Sequence, residues 1–95
     1  EKKTVNFCNK EIAWYKEELD KIKKIKVFNS KSNYFLIKSY SKSAEDLKEG
    51  MIQNHGILIR DCSNFKGLDK SFFRINIKSR EENIKMLQAL KKELE

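Results

Sequence analysis

Arginine is the residue type in this chain best suited to recognising an anion. Among 21 basic residues only three are arginines, at Arg60, Arg74 and Arg80. Arg60 and Arg74 stand within short stretches of β-branched and aromatic residues, which are typical of strands. A guanidinium carries a rigid fork of donors that binds carboxylate or phosphate through two hydrogen bonds. Two arginines on one surface would therefore suit a substrate with two anionic groups.

The other residue types that commonly perform chemistry offer less. Cys8 and Cys62 are the only cysteines, and with the single histidine, His55, they cannot supply four zinc ligands. No histidine is placed by the sequence to activate Cys62 as a nucleophile. A disulfide between the two cysteines is possible but not required, and we interpret both as reduced thiols in a cytoplasmic protein. For the arginines the alternative to an anion site is an ordinary surface position beside an acid, and Asp61 could form a local ion pair with Arg60.

Two predicted strands would position Arg60 and Arg74. The first runs from Ile57 to Asp61 and the second from Ser71 to Ile77. Side chains alternate across a strand, so Arg74 lies opposite the apolar face of its strand and Arg60 lies opposite Ile57 and Ile59. The alternation predicts that both arginines occupy the open face of one sheet. The apolar face of the second strand is formed by Phe73, Ile75 and Ile77.

The remaining pattern completes a small α/β domain. In chain order we predict a helix over Asn9 to Ile25, an extended Val27-Phe28, a turn over Asn29 to Asn33, a strand over Tyr34 to Tyr40, and a helix from Ser43 that Gly56 ends. Cys62 to Lys70 is a loop, and Ser79-Arg80-Glu81-Glu82 is a capping box for the last helix. The order is α-β-α-β-β-α. It predicts a two-layer α/β (α+β) fold, a three-stranded sheet with helices on one face, in a single domain spanning residues 1–95.

Apolar residues at helical spacing predict which helix faces are buried. The three stripes are Ile12, Tyr15, Leu19 and Ile22 in the first helix; Ala44, Leu47 and Met51 in the second; and Ile84, Leu87, Leu90 and Leu94 in the third.

Composition excludes some classes of protein. Hydrophobic residues make up 39% of the chain, which argues against a wholly disordered protein, and no apolar run is long enough to cross a membrane. The first residues are charged and no apolar core follows, so we expect no signal peptide and a cytoplasmic location. The net charge of +7 leaves a nucleic-acid-binding module as a distant alternative, with Tyr34, Leu36, Lys38 and Tyr40 sharing a strand face. Because arginines are few and lysines are spread along the chain, we expect no nucleic-acid partner.

Several segments closely resemble a known family. Gly56 to Asp69, with Arg60 and the loop Cys62-Ser63-Asn64-Phe65-Lys66-Gly67-Leu68, is similar to a stretch near the C-terminus of threonine-phosphate decarboxylases and of the related histidinol-phosphate aminotransferases. The similarity continues through Ser71 to Ile77 and Arg80-Glu81-Glu82-Asn83, and upstream through Ser32 to Ile37. The cysteine- and asparagine-containing loop favours the decarboxylases.

The resemblance implies a role for the chain and for its arginines. It would be the C-terminal small domain of a pyridoxal-phosphate enzyme of the aspartate-aminotransferase fold type, with Arg74 binding the substrate's α-carboxylate and Arg60 its phosphate. The family's Schiff-base lysine lies in a Ser-x-Ser-Lys segment of the large domain, and nothing in these 95 residues matches it. No catalytic, cofactor-binding or metal-binding residue is therefore expected here. The parent would be a homodimeric decarboxylase or aminotransferase, and the isolated chain would be inactive. A small adaptor that has lost its catalytic half is a third possibility.

Overall fold

Seven elements follow one another in the part of the chain that the computed structural model describes, residues 9–28 and 33–94. They are α1 (Asn9–Asp20), β1 (Ile25–Phe28), β2 (Tyr34–Ser39), α2 (Ala44–His55), β3 (Arg60–Asp61), β4 (Phe72–Asn76) and α3 (Arg80–Leu94). Cys8 and most of the predicted turn at 29–33 lie outside the described residues.

The strands form one antiparallel sheet in the order β1-β2-β4-β3. Alternate residues of the strands point into a single apolar core, to which all three helices contribute. From the strands the core takes Ile25, Val27, Phe35, Ile37, Phe73 and Ile75. The strand residues that alternate with them are half-buried or exposed, so none of the three helices covers the opposite face of the sheet. The predicted two-layer α/β fold with helices on one face is therefore confirmed.

The predicted strand count was wrong, because the sheet has four strands and not three. The first helix was expected to continue to Ile25, but it ends at Asp20, and Ile25–Phe28 pairs with β2 along its whole length. Ile25 and Val27 alternate with the exposed Lys26, which is a strand pattern. The lysine-rich run from Lys21 to Lys26 therefore spans a turn and a strand and does not form the last turn of a helix.

β3 is shorter than predicted, because only Arg60–Asp61 pairs with β4. The residues before it complete the end of α2. Gly56 adopts a left-handed conformation with φ 68°, its N–H donates to the carbonyl of Ile52, and the N–H of Ile57 donates to that of Met51. These two bonds satisfy carbonyl groups that the helix end leaves free. They therefore use backbone N–H groups that precede β3 in the chain.

The predicted helix starts are confirmed. The Ser43 hydroxyl accepts a hydrogen bond from the N–H of Asp46 at 3.2 Å, and the Ser79 hydroxyl accepts one from the N–H of Glu82 at 3.2 Å. Each bond satisfies one of the free N–H groups in a first helical turn.

The predicted buried stripes of α1 and α2 are confirmed, and that of α3 needs one correction. Tyr15, Leu19, Leu47 and Met51 are all fully buried, and Ile12 packs partly against the core. In α3, Ile84 is exposed and Asn83 takes its place at the buried face. The Asn83 amide accepts from the N–H of Lys78 at 2.9 Å and donates to its carbonyl at 3.0 Å. This polar side chain is buried because it holds the turn between β4 and α3.

Candidate anion-binding site

Arg60 and Arg74 are directly opposite each other in the sheet. The register of β3 and β4 makes them Cα partners, so their side chains leave the sheet on the same face. On its other side Arg74 is the Cα partner of Leu36 in β2. Arg74 is thus fixed from both sides by backbone pairing, whereas Arg60 stands on the short edge strand. This is the shared open face that the strand alternation predicted.

The guanidinium of Arg74 contacts an aromatic ring, and within the described residues it forms no salt bridge with an acid. Its Cζ lies 4.5 Å from the centroid of the Tyr34 ring, a cation–π geometry. The side chain is half-buried, and its Nε atom is buried with no hydrogen-bond partner among the described residues. A stacked guanidinium without a carboxylate partner is oriented in advance and keeps its charge available to a ligand.

Arg60 is exposed and likewise forms no salt bridge with an acid in residues 9–28 and 33–94. The expected ion pair with Asp61 is absent: no salt bridge joins Arg60 or Arg74 to a carboxylate in the described part of the chain. Asp61 instead accepts a hydrogen bond from the N–H of Ser63 at 2.8 Å, which closes the turn after β3. The alternative of two structural arginines, each paired with an acid, therefore finds no support in the geometry.

A groove of about 480 Å³ brings further polar residues to the two arginines. Its polar lining consists of Arg60, Arg74, Lys48, Asn64, Asn76 and Asp61, and Leu58 and Ile59 complete it. The groove thus combines three cations and two amides with a single carboxylate. Such a lining suits an anion with several oxygens.

Sequence reasoning missed three residues of this groove. The strand alternation does place Asn76 on the same face as Arg74, two residues further on, but it assigns Asn76 no role in the site. Asn64 belongs to the loop that the family resemblance singled out, but loop residues have no periodicity to place them. Lys48 gives no sequence signal, because it reaches the groove only through the position of α2 beside β3.

Cys62 and His55 each form a contact with another residue of the fold. Cys62 is a buried free thiol whose Sγ donates to the carbonyl of Arg60 at 3.7 Å. Burial raises the pKa of the Cys62 thiol, and the charge of Arg74 offsets this only in part. His55 Nε2 lies 3.1 Å from Glu93 Oε2, at the contact between α2 and α3.

Within residues 9–28 and 33–94, no three metal-binding side chains cluster and no helix is long and apolar enough to cross a membrane.

Solved structures with the same fold belong to two groups of enzymes. No protein-family profile matches the chain. The sheet and helices superpose on L-threonine-O-3-phosphate decarboxylase of Porphyromonas gingivalis with a TM-score of 0.85 and 30% identity, covering 90% of this chain and 26% of that one. They also superpose on histidinol-phosphate aminotransferase of Clostridium acetobutylicum with a TM-score of 0.84 and 41% identity, covering 90% and 25%. The chain therefore has the fold of about one quarter of each of these two enzymes.

A curated relative leads to the same group. The chain is 39% identical over 89 residues to a protein of Caldanaerobacter subterraneus subsp. tengcongensis named as a threonine-phosphate decarboxylase, covering 94% of the chain. The match spans only 24% of that relative. The resemblance predicted from the sequence is therefore confirmed: the chain is similar to a segment that makes up about a quarter of the length of threonine-phosphate decarboxylases and histidinol-phosphate aminotransferases. The identities to the two enzymes are too similar to favour either.

Proposed function

We propose that residues 1–95 form the substrate-binding small domain of a larger pyridoxal-phosphate enzyme that acts on a phosphorylated amino acid. The observation that carries the proposal is the pair of opposing arginines, Arg60 and Arg74, on the open sheet face with no acidic partner in the described chain. A threonine-phosphate decarboxylase is the preferred parent because of the Cys62 to Leu68 loop. A histidinol-phosphate aminotransferase is the alternative. The parent is proposed to be a cytoplasmic homodimer with no nucleic-acid partner.

The two arginines are proposed to bind different anions. Arg74 is anchored in the sheet and stacked on Tyr34, so it offers a fixed fork to the planar α-carboxylate. Arg60 is exposed on the edge strand, so its side chain would bind the substrate phosphate and adjust to its position. Holding the substrate at both ends orients the bonds at its α-carbon, and such positioning is a large part of catalysis. The reaction itself depends on the large domain.

The groove does not suit the cofactor. Pyridoxal phosphate requires a lysine for covalent attachment and an acid that pairs with its pyridine nitrogen. The groove has one lysine, Lys48, which is exposed, and one carboxylate, Asp61, one of whose oxygens accepts from the N–H of Ser63. The family resemblance places the Schiff-base lysine in the large domain instead. The cofactor is therefore assigned to the large domain of the parent. The isolated chain is expected to be inactive and to form no imine with added pyridoxal phosphate, as followed by visible absorbance.

The gene sequence upstream of Glu1 provides the first test. A Ser-x-Ser-Lys segment encoded in frame before residue 1 is the expected result. An upstream region without such a segment would favour the adaptor, a small domain without a catalytic half.

Steady-state kinetics of the parent test the division of roles. Arg74→Ala should raise KM and lower kcat for every amino acid substrate, because the carboxylate is common to all of them. Arg60→Ala should impair phosphorylated substrates selectively. Loss of one charged hydrogen bond, about 1.5–3 kcal/mol, corresponds to roughly a 10- to 150-fold decrease in kcat/KM. Equal losses on phosphorylated and plain substrates would disprove the division. The product mixture, carbon dioxide or a keto compound, distinguishes decarboxylase from aminotransferase.

A further inference from the structure

The groove contains a third cation from a different structural element. Lys48 lies on α2, which packs on the helical side of the sheet, yet its side chain lines the same groove as Arg60 and Arg74. It is exposed, and no described carboxylate forms a salt bridge with it. A lysine in a helix usually serves as a solvated surface residue, but this one lines a groove with two arginines that form no salt bridge in the described part of the chain.

The chemistry of the three cations differs. Arg74 is half-buried and fixed by Tyr34, whereas Arg60 and Lys48 are exposed and belong to separate elements. A carboxylate is planar, carries one charge and is satisfied by one guanidinium fork. A phosphomonoester has three terminal oxygens and close to two charges at neutral pH, so it benefits from a second, flexible point charge beside an arginine.

We propose that Lys48 is a specificity-determining residue, which together with Arg60 forms a subsite selective for a phosphate dianion over a carboxylate. The inference rests on the proposed function, since it names the residue that gives the same groove its preference for phosphorylated substrates. The amides of Asn64 and Asn76 border the subsite and can donate to the remaining oxygens. Asp61 also lines the groove, and the hydrogen bond from Ser63 directs one of its oxygens to the backbone.

The experiment uses the 95-residue chain labelled with ¹⁵N, titrated separately with inorganic phosphate and with acetate and followed by backbone amide shifts. Binding to the chain alone is weak, so dissociation constants of about 1 mM or higher are expected. Phosphate should shift the amides around Arg60, Asn64 and Arg74. Lys48→Ala should weaken phosphate binding about three- to tenfold and acetate binding less than twofold, because an exposed charge acts more strongly on a dianion. Lys48→Arg should retain the preference.

Lys23→Ala is the matched control, because Lys23 is an exposed lysine that does not line the groove. The preference should also decline between about pH 8 and about pH 5, where phosphate loses its second charge. If Lys48→Ala matches Lys23→Ala while Arg60→Ala abolishes the phosphate shifts, the role of Lys48 is wrong and the arginine site stands. If phosphate produces no shifts at the groove at all, the subsite is wrong, and the phosphate role of Arg60 loses its support as well.

Discussion

Glu93 joins the two helices α2 and α3, and replacing it by glutamine should destabilise the domain. Its carboxylate accepts from Asn54 Nδ2 at 2.8 Å and lies 3.3 Å from Lys42 Nζ and 3.1 Å from His55 Nε2. The side chain is only 9% exposed. The hydrogen bond from Asn54, with those from Lys42 and His55, lowers the pKa of Glu93 despite the opposing effect of burial. The substitution Glu93→Gln keeps the shape and removes the charge.

The expected loss follows from these contacts. A hydrogen bond to a charged group contributes about 1.5–3 kcal/mol, but glutamine retains an acceptor for Asn54. Lys42 is 41% exposed, so solvent screening limits its share to about 0–1 kcal/mol. We therefore expect a loss of about 1–2 kcal/mol in the free energy of unfolding. For a domain of this size that corresponds to a decrease in Tm of roughly 5–15 °C.

The effect should depend on pH in one direction. The folded-state pKa of Glu93 is below its unfolded value of about 4.3, so its stabilisation is present above that pH and is lost as the pH falls through the folded pKa. Thermal unfolding followed by circular dichroism should show the full difference at neutral pH and convergence of the two proteins in acid. Glu17→Gln, at an exposed position of α1, is the control. An unchanged Tm for Glu93→Gln, or a difference that persists in strong acid, would refute the reasoning.

Gly50 of α2 lies against Glu93 of α3, so a substitution at Gly50 tests the same contact between the two helices. A Cβ at this position would collide with the Glu93 carboxylate, which its three partners hold in place. Alanine normally stabilises a helix interior by about 0.5–1 kcal/mol relative to glycine. Gly50→Ala should nevertheless destabilise this domain, and the penalty should shrink in a Glu93→Ala background. A stabilised Gly50→Ala single variant would show that Glu93 can move aside freely.

Two further substitutions address buried polar groups. The Tyr15 hydroxyl is buried with no hydrogen-bond partner among the described residues, and burial raises its pKa. Tyr15→Phe keeps the edge contact with the Phe35 ring and should raise the free energy of unfolding, measured in denaturant, by about 1 kcal/mol. As a control, Tyr40→Phe at an exposed position should leave the stability unchanged. A lower midpoint for Tyr15→Phe would mean that the hydroxyl has a partner. Asn83→Ala removes both hydrogen bonds to the Lys78 backbone and should lower the free energy of unfolding by about 1–3 kcal/mol. Ile84→Ala, at the neighbouring exposed position, should lower it less. A larger loss for Ile84→Ala than for Asn83→Ala would contradict the role of the amide.

Local patterns determined much of this fold. Strand alternation is a property of single strands, so it identified Phe73 and Ile75 as core residues and placed Arg74 on the opposite face. Helix starts depend on side chains within one turn, which is why Ser43 and Ser79 were recognisable. The family resemblance provided the roles proposed for Arg60 and Arg74, which composition and periodicity could not supply.

The tertiary structure decided what depends on contacts between distant segments. Ile25–Phe28 is a strand because β2 lies beside it, although the apolar spacing of the first helix predicted that this helix continues to Ile25. Asn83 is buried because the backbone of Lys78 satisfies its amide, which an apolar stripe cannot indicate. Lys48 joins the arginines because α2 is packed beside β3. By itself the sequence determined which face of each strand carries its arginine. Only the packing of α2 against the sheet edge decided that a lysine completes the groove, because no local rule relates a helix position to a strand twelve residues later.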